Sequence, residues 1–195
     1  MLGYLSPISH WQQWIAAGMP ALDDSILFNK HSDFNRCRID SPNGPLVLTI
    51  PVQKYEGKSC PLGKVRISEH GDWRHKHWHA LSSTYFNSPY FEYYQDDFRP
   101  IYFGQQERLV EFNAQLNTLV AELLNLEALN LPTLHSSRST SLPFEGESEG
   151  AYYQVFAHKH GFIADLSIID LLFNMGPESL VLLKRLDFNA DGVHQ

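Results

Sequence analysis

The chain has 195 residues, 43% hydrophobic and 19% charged, with 15 Lys+Arg against 22 Asp+Glu and a formal net charge of -7. That length can close a hydrophobic core without staples, and this composition excludes a mostly disordered chain. The acidic balance argues against a general nucleic-acid binder, which needs an excess of Lys and Arg for phosphate. Two cysteines, Cys37 and Cys60, cannot build a disulfide framework. The start, MLGYLSPISHWQQW, lacks the basic region of a secretory signal. No apolar run approaches the roughly 20 residues of a membrane span. A cytoplasmic protein with reduced thiols, folded as a single domain over 1–195, is the expectation.

In chain order, Ser6-Pro7 reads as a helix start, with Ser as N-cap and Pro at the first helical position. Ile8, Trp11 and Trp14/Ile15 recur at helical spacing, and Gly18 can close the helix. From Ser25 to Val52 the pattern turns towards strands. Arg36–Asp40 and Leu46–Val52 flank Ser41-Pro42-Asn43-Gly44, which is strong turn chemistry and predicts a hairpin. A third short strand is expected at Val65–Ile67.

Asp72 can cap a helix over 73–85, with Trp73, His77, Leu81 and Tyr85 at spacing four. Ser88-Pro89 starts another, carrying YFEYYQDDF. The clearest helix is expected over 105–126, where Leu109, Phe112, Leu116, Leu119/Val120 and Leu123 form an apolar face. Residues 131–150 read as a mobile surface loop, followed by a strand-like AYYQVF. Ser167-Ile168-Ile169-Asp170 reads as a capping-box variant opening a short helix, and Gly176-Pro177 breaks it before a last helix over 180–186. Strands come first and helices later, which predicts an α+β fold: a small N-terminal antiparallel sheet and a mainly helical remainder.

Four segments can carry chemistry. In HGDWRHKHWH, four of the chain's 10 His lie within residues 70–79. On a helix His75 and His79 are one turn apart, with Asp72 one turn below His75. A metal site, a general acid or base, and simple local packing all remain open there. The aromatic-acidic run SPYFEYYQDDFRPIYF reads either as an amphipathic docking helix or as a sugar platform beside Glu92, Asp96, Asp97 and Arg99. Arg36 and Arg38 alternate on a strand, so they point to one face and either clamp an anion or form a salt-bridged strand edge, while Cys37 falls on the core face. Near the C-terminus, His158-Lys159-His160 precedes Asp165 and Asp170. Asp170 is expected to be used in capping, leaving Asp165 the freer carboxylate. GxGxxG, GxxxxGK[ST] and GxSxG are all absent.

These segments, in this order, resemble the WbqC-like protein family of bacteria. The resemblance rests on YLSPISHW at 4–11, NRCRI at 35–39, LTIPV at 48–52, the VRIS–HGDWRHKHW run from Val65, SPYFEYYQDDFRP, and GFIADLSIIDLLFNMGPES. It implies association with O-antigen and other surface-polysaccharide gene clusters. It also implies a transferase that attaches an amino acyl group, such as glycine, to an activated or lipid-linked sugar precursor. The stretch before the NRC motif departs from the family pattern, with Phe34 where relatives tend to carry Arg, and His79 stands where an Asn is expected. His75 and His77 match the pattern.

The site expected from the residues and the resemblance together is metal-free and cofactor-free. His75 is the base and Asp72 orients it. Asn35 and Arg36 hold an anionic group, while His77, Tyr85, Tyr90, Asp97 and Asp165 complete the substrate site; a deep pocket lined by His75, Arg36 and Asp165 would mark the enzyme. A non-catalytic binder or scaffold for polysaccharide-modifying enzymes is the alternative.

Overall fold

The computed structural model describes residues 2–126 and 151–185, apart from His31, Glu56 and Lys58. The expected loop at 131–150 lies outside the described residues. The architecture is α+β, as expected: an N-terminal hairpin and a mainly helical remainder. The elements in order are α1 (Ile8–Ala16), β1 (Arg36–Ile39), β2 (Leu46–Thr49), α2 (Trp73–Tyr85), α3 (Phe91–Tyr102), α4 (Leu109–Leu123), α5 (Ala157–His160), α6 (Ile168–Met175) and α7 (Ser179–Arg185).

The hairpin forms where turn chemistry places it. β1 and β2 pair antiparallel with Arg36 opposite Thr49 and Ile39 opposite Leu46. Gly44, at φ +95°, donates its N–H to the Ser41 carbonyl at 3.0 Å, and the Ser41 hydroxyl donates back to the Gly44 carbonyl at 2.6 Å. Val65–Ile67 does not become a third strand. It makes single bridges, Val52 to Ile67 and Arg66 to Arg108. Those bridges explain why α4 begins at Leu109 and not at 105: the Ile67 N–H bonds Glu107 O and the Leu109 N–H bonds Val65 O, which holds the preceding residues extended.

The expected serine caps of α1 and α6 both fail, because each hydroxyl is engaged elsewhere. Ser6 accepts the Gly3 N–H at 2.7 Å and is not the cap of α1. Ser167 donates its hydroxyl to Leu5 O at 2.7 Å and does not cap α6. Residues 5–8 run antiparallel to 166–168, with Ile8 N–H to Leu166 O and Ile168 N–H to Ser6 O, both at 3.0 Å. Ser167 N–H also reaches Arg38 O at 2.8 Å, so the two segments and β1 lie side by side. Ser167 thus bonds across the seam and Ser6 bonds back within its own segment, so neither hydroxyl is left for its helix.

One apolar core runs from Leu2 to Leu183, with Tyr4, Trp11, Ile39, Tyr102, Phe112, Leu116 and Phe173 fully buried. α2 places Trp73, His77, Leu81 and Tyr85 in it, as the spacing of four predicts. AYYQVF alternates in burial, with Tyr152, Gln154 and Phe156 inside, yet it forms no strand. The period of two is real, but the side chains turn to the 162–163 loop and to Asp170, and among the described residues no strand pairs with this backbone.

Candidate functional site

Each expected site residue can now be placed. Gly71 (φ +84°) and Asp72 (φ +52°) turn the chain in the left-handed region just before α2. Asp72 does not cap the helix with its side chain. Its Oδ1 instead lies 2.6 Å from His75 Nδ1, one turn on. Both side chains are about two-thirds exposed. A carboxylate on Nδ1 selects the tautomer and leaves Nε2 at the outer edge of the ring. The His75 ring leans on Phe103, with centroids 4.8 Å apart, and Trp78 meets the same Phe103 edge-on.

Asp72, His75, Lys76 and His79 fall at helical spacing on one exposed face of α2. Of the nearby arginines, Arg66 pairs with Glu107. Arg74 is buried against Trp73 and Phe112 and bonds Glu69, Tyr102 O and Gln106 O. Among the described residues, no group of three or more His, Cys, Asp or Glu is placed to hold a metal ion.

The other expected residues do not join this face in any shared pocket. His77 points inward. Its Nδ1 lies 2.9 Å from the Tyr4 hydroxyl, which in turn bonds the Tyr102 hydroxyl at 2.8 Å. Burial pulls the His77 imidazole down to about 4, despite a bond to the Thr49 backbone that favours its charged form, so the ring is neutral at pH 7. Asn35 is buried and donates Nδ2 to Ile50 O at 2.9 Å. Arg36 is half-buried, its Nε without a partner among the described residues. Arg38 reaches over to Ala164 O and Asp165 O.

Tyr85 is buried and donates its hydroxyl to Asp170 at 2.8 Å. Tyr90 sits at the start of α3 with its ring against Gly176 and stacked on Tyr94. Asp97 is exposed on α3, one turn from the exposed Tyr93. Asp165, expected to be the freer carboxylate, is occupied: it accepts the Ser9 N–H and the Ser9 hydroxyl, each at 2.8 Å. The cavity between α1 and α4 is lined by none of these residues.

Two buried polar groups escaped sequence reasoning. Asp170 caps nothing; it accepts hydroxyls from Tyr85 and Tyr152 (2.7 Å) in a fully enclosed site, and burial lifts its carboxyl to about 6. Asp40, nearly fully buried, accepts the Ser41 N–H at 2.7 Å and lies 3.1 Å from His160 Nε2. Burial raises its carboxyl, while Ser41 and His160 pull the other way. Only the position of Asp40 at the end of a β-strand hinted at its burial; nothing local marked Tyr152 or His160 as partners.

No helix among the described residues is long and apolar enough to cross a membrane. No curated protein and no solved structure matches the chain at a significant level. The family model of the WbqC-like protein family matches residues 2–147, which takes in the hairpin and the Asp72–His75 turn but stops short of the seam segment at 161–179. With about three-quarters of its length covered by that match, the chain belongs to the WbqC-like protein family.

Proposed function

We propose that this protein is a transferase of surface-polysaccharide (O-antigen) biosynthesis, attaching an amino acyl group such as glycine to an activated or lipid-linked sugar precursor in the cytoplasm. The Asp72–His75 pair carries the reading. A 2.6 Å carboxylate contact on Nδ1 holds the imidazole with Nε2 outward, the arrangement a general base needs. Nε2 removes the proton from a sugar hydroxyl as its oxygen attacks the acyl carbon of an activated donor. An ester C–O bond forms, the bond to the leaving group breaks, and His75 returns the proton to that group. Asp72 stabilises the imidazolium between the two transfers.

The partly exposed Phe103 beneath His75 offers a flat apolar surface for a sugar ring. Lys76 and His79, on the same face, suit a phosphate-bearing carrier. Tyr93 and Asp97 on α3 pair an exposed ring with a carboxylate that accepts sugar hydroxyls. The test is His75→Ala returned to a host lacking the protein. Loss of the modified surface glycan, with folding intact, supports the base. A wild-type glycan removes His75 from the mechanism.

A second reading, a non-catalytic binder for polysaccharide-modifying enzymes, is favoured by Phe86 and Tyr93, which stand 77% and 75% exposed. It predicts full complementation by His75→Ala and failure of a Phe86→Ser/Tyr93→Ser variant.

A further inference from the structure

Residues 154–163 form a loop pinned at its base and at its tip. At the base, Gln154 donates Nε2 to Ile163 O at 2.8 Å and accepts the Ile163 N–H on Oε1 at 2.9 Å, so one amide staples the two ends together. Between them run α5 and Gly161, whose φ of +79° turns the chain back. Residues 158–162 are exposed. Among the described residues, a single side chain makes the polar contacts between this loop and the hairpin turn. His160 Nε2 lies 3.1 Å from Asp40 Oδ1 and 3.2 Å from Ser41 O. The His160 side chain is 22% exposed, so it exchanges protons with solvent.

Both ring nitrogens of His160 face carbonyl oxygens. Nε2 meets Ser41 O, and Nδ1 lies 3.2 Å from Gly161 O. Neither carbonyl has a proton to give. A neutral imidazole carries one N–H, so one of its nitrogens would turn a lone pair towards an oxygen. The imidazolium, with two N–H donors, satisfies both sides and brings a positive charge to Asp40. That carboxylate is buried; Oδ1 also accepts the Ser41 N–H at 2.7 Å, and Oδ2 has no partner among the described residues. Its charge therefore depends on the imidazolium for balance.

The other charged and titratable groups nearby supply no substitute. From the core side Asp40 faces Asp170 on α6 and the Tyr152 hydroxyl, and its charge makes ionisation of both harder. Arg38, two residues before Asp40, is turned to Ala164 O and Asp165 O. On the loop itself, His158 Nδ1 lies against Val155 O and Lys159 lies over the Phe156 ring.

We propose that His160 and Asp40 form a pH-operated latch, which holds the 154–163 loop on the hairpin turn while the imidazole is charged and frees it when the ring loses a proton. The latch has two limits. As pH rises through the imidazole range, one nitrogen loses its N–H and the attraction to Asp40 goes with it. As pH falls, protonation of Asp40, whose carboxyl burial holds above its ordinary value, removes the other partner. The Gln154–Ile163 staple contains no titratable group and keeps the base closed, so the motion is a local opening that lets water reach Asp40. The latch uses neither His75 nor Asp72, so it stands or falls apart from the transferase reading.

The test is amide hydrogen exchange of the full-length protein at about pH 6 and about pH 8, on either side of much of the imidazole range. Protection is corrected for intrinsic exchange and referred to the α4 amides of Leu116 and Val120. The amides of Lys159, His160 and Gly161, which bond Phe156 O and Ala157 O, report on the loop. Their protection is expected to fall about tenfold at the higher pH, the size of one lost charge-assisted hydrogen bond. Nitrogen NMR of the His160 ring should show both nitrogens protonated at the lower pH, and the proton leaving over the interval in which protection is lost. His160→Gln keeps a donor beside Asp40 but no titratable charge, and it removes the pH dependence; His158→Gln and Lys159→Gln leave it in place. Asp40→Asn removes it too, and should that variant fail to fold, His160→Gln on the exposed loop still decides. Loop protection equal at the two pH values, a pH dependence that survives His160→Gln, or a singly protonated His160 ring at the lower pH each overturns the proposal.

Discussion

Asp165 caps α1 from 156 residues away: its two carboxylate oxygens accept the backbone N–H and the hydroxyl of Ser9, the second residue of the helix. The helix start lacks a side-chain cap of its own. Asp165 supplies it and places a negative charge at the positive end of the helix dipole. Asp165→Ala is expected to cost about 1–2 kcal/mol in urea denaturation, within the range of N-cap deletions. Ser9→Ala, which keeps the backbone bond, should cost less. An Asp165→Ala protein as stable as wild type would remove the cap from the account.

His77 and Asp170 are expected to oppose one another in pH. Burial holds His77 at about 4 in the fold against 6.5 unfolded, so the unfolded state takes up its proton first and stability falls as pH drops through that window. Asp170 is raised to about 6 from 3.8, so the fold keeps its proton longer and stability falls as pH rises between those values. Each contribution is worth roughly 3 kcal/mol, and over most of the shared window they cancel. Asp170→Asn should therefore steepen the rise of stability between about pH 4 and 6 relative to wild type, and His77→Gln should turn it downward. Urea midpoints across that range read both slopes. Parallel curves for all three proteins contradict the assignment.

Gly176→Ala is expected to destabilise by about 2 kcal/mol or more. The residue sits at φ +51°, and an added Cβ would fall within the Tyr90 ring. Thermal denaturation of Gly176→Ala and of Gly176→Ala/Tyr90→Leu separates the two causes: the second change relieves the collision but not the backbone strain. No recovery in the double variant would show that the ring contact contributes little.

Cys37 should resist thiol reagents in the native protein. It is buried on the core face of β1, and burial raises its thiol well above the ordinary range, so almost no thiolate forms. Labelling at Cys37, followed by mass spectrometry, is expected to track global unfolding in urea. Rapid labelling without denaturant would contradict that burial.

The exposed Asp72–His75 pair should contribute little to stability, within about 1 kcal/mol, as solvent-screened pairs do. Asp72→Ala and His75→Ala should melt near the wild-type temperature, so a glycan defect in either reports on chemistry rather than folding. A large drop in melting temperature would instead assign the pair a structural role.

What could be read from the sequence follows the range of the forces involved. α2 spans 73–85 as its apolar spacing predicts, and the hairpin closes at Ser41–Gly44, because both depend on residues within a few positions of one another. The apolar face of α4 was equally legible, but its first turn was not: Arg108 is drawn into a bridge with Arg66, and that bond crosses the chain. Of the site, the Asp72–His75 pair was legible because one helical turn brings the two together. The sharing of His77 with Tyr4, of Asp170 with Tyr85 and Tyr152, and of Asp40 with His160 was not, because each partner comes from a distant segment.

The amino-acid sequence by itself determined the longer helices apart from their exact ends, the hairpin and the exposed Asp–His pair, since period and turn chemistry are local. Tertiary structure alone decided which polar groups remain available. Asp165 went to α1, Ser167 to Leu5, and the amide nitrogens of Asn113 and Asn117 to backbone carbonyls, while their two oxygens were left without a hydrogen-bond partner among the described residues. A buried hydrogen-bonding group takes whichever partner packing brings near, and that choice is made only when distant segments meet.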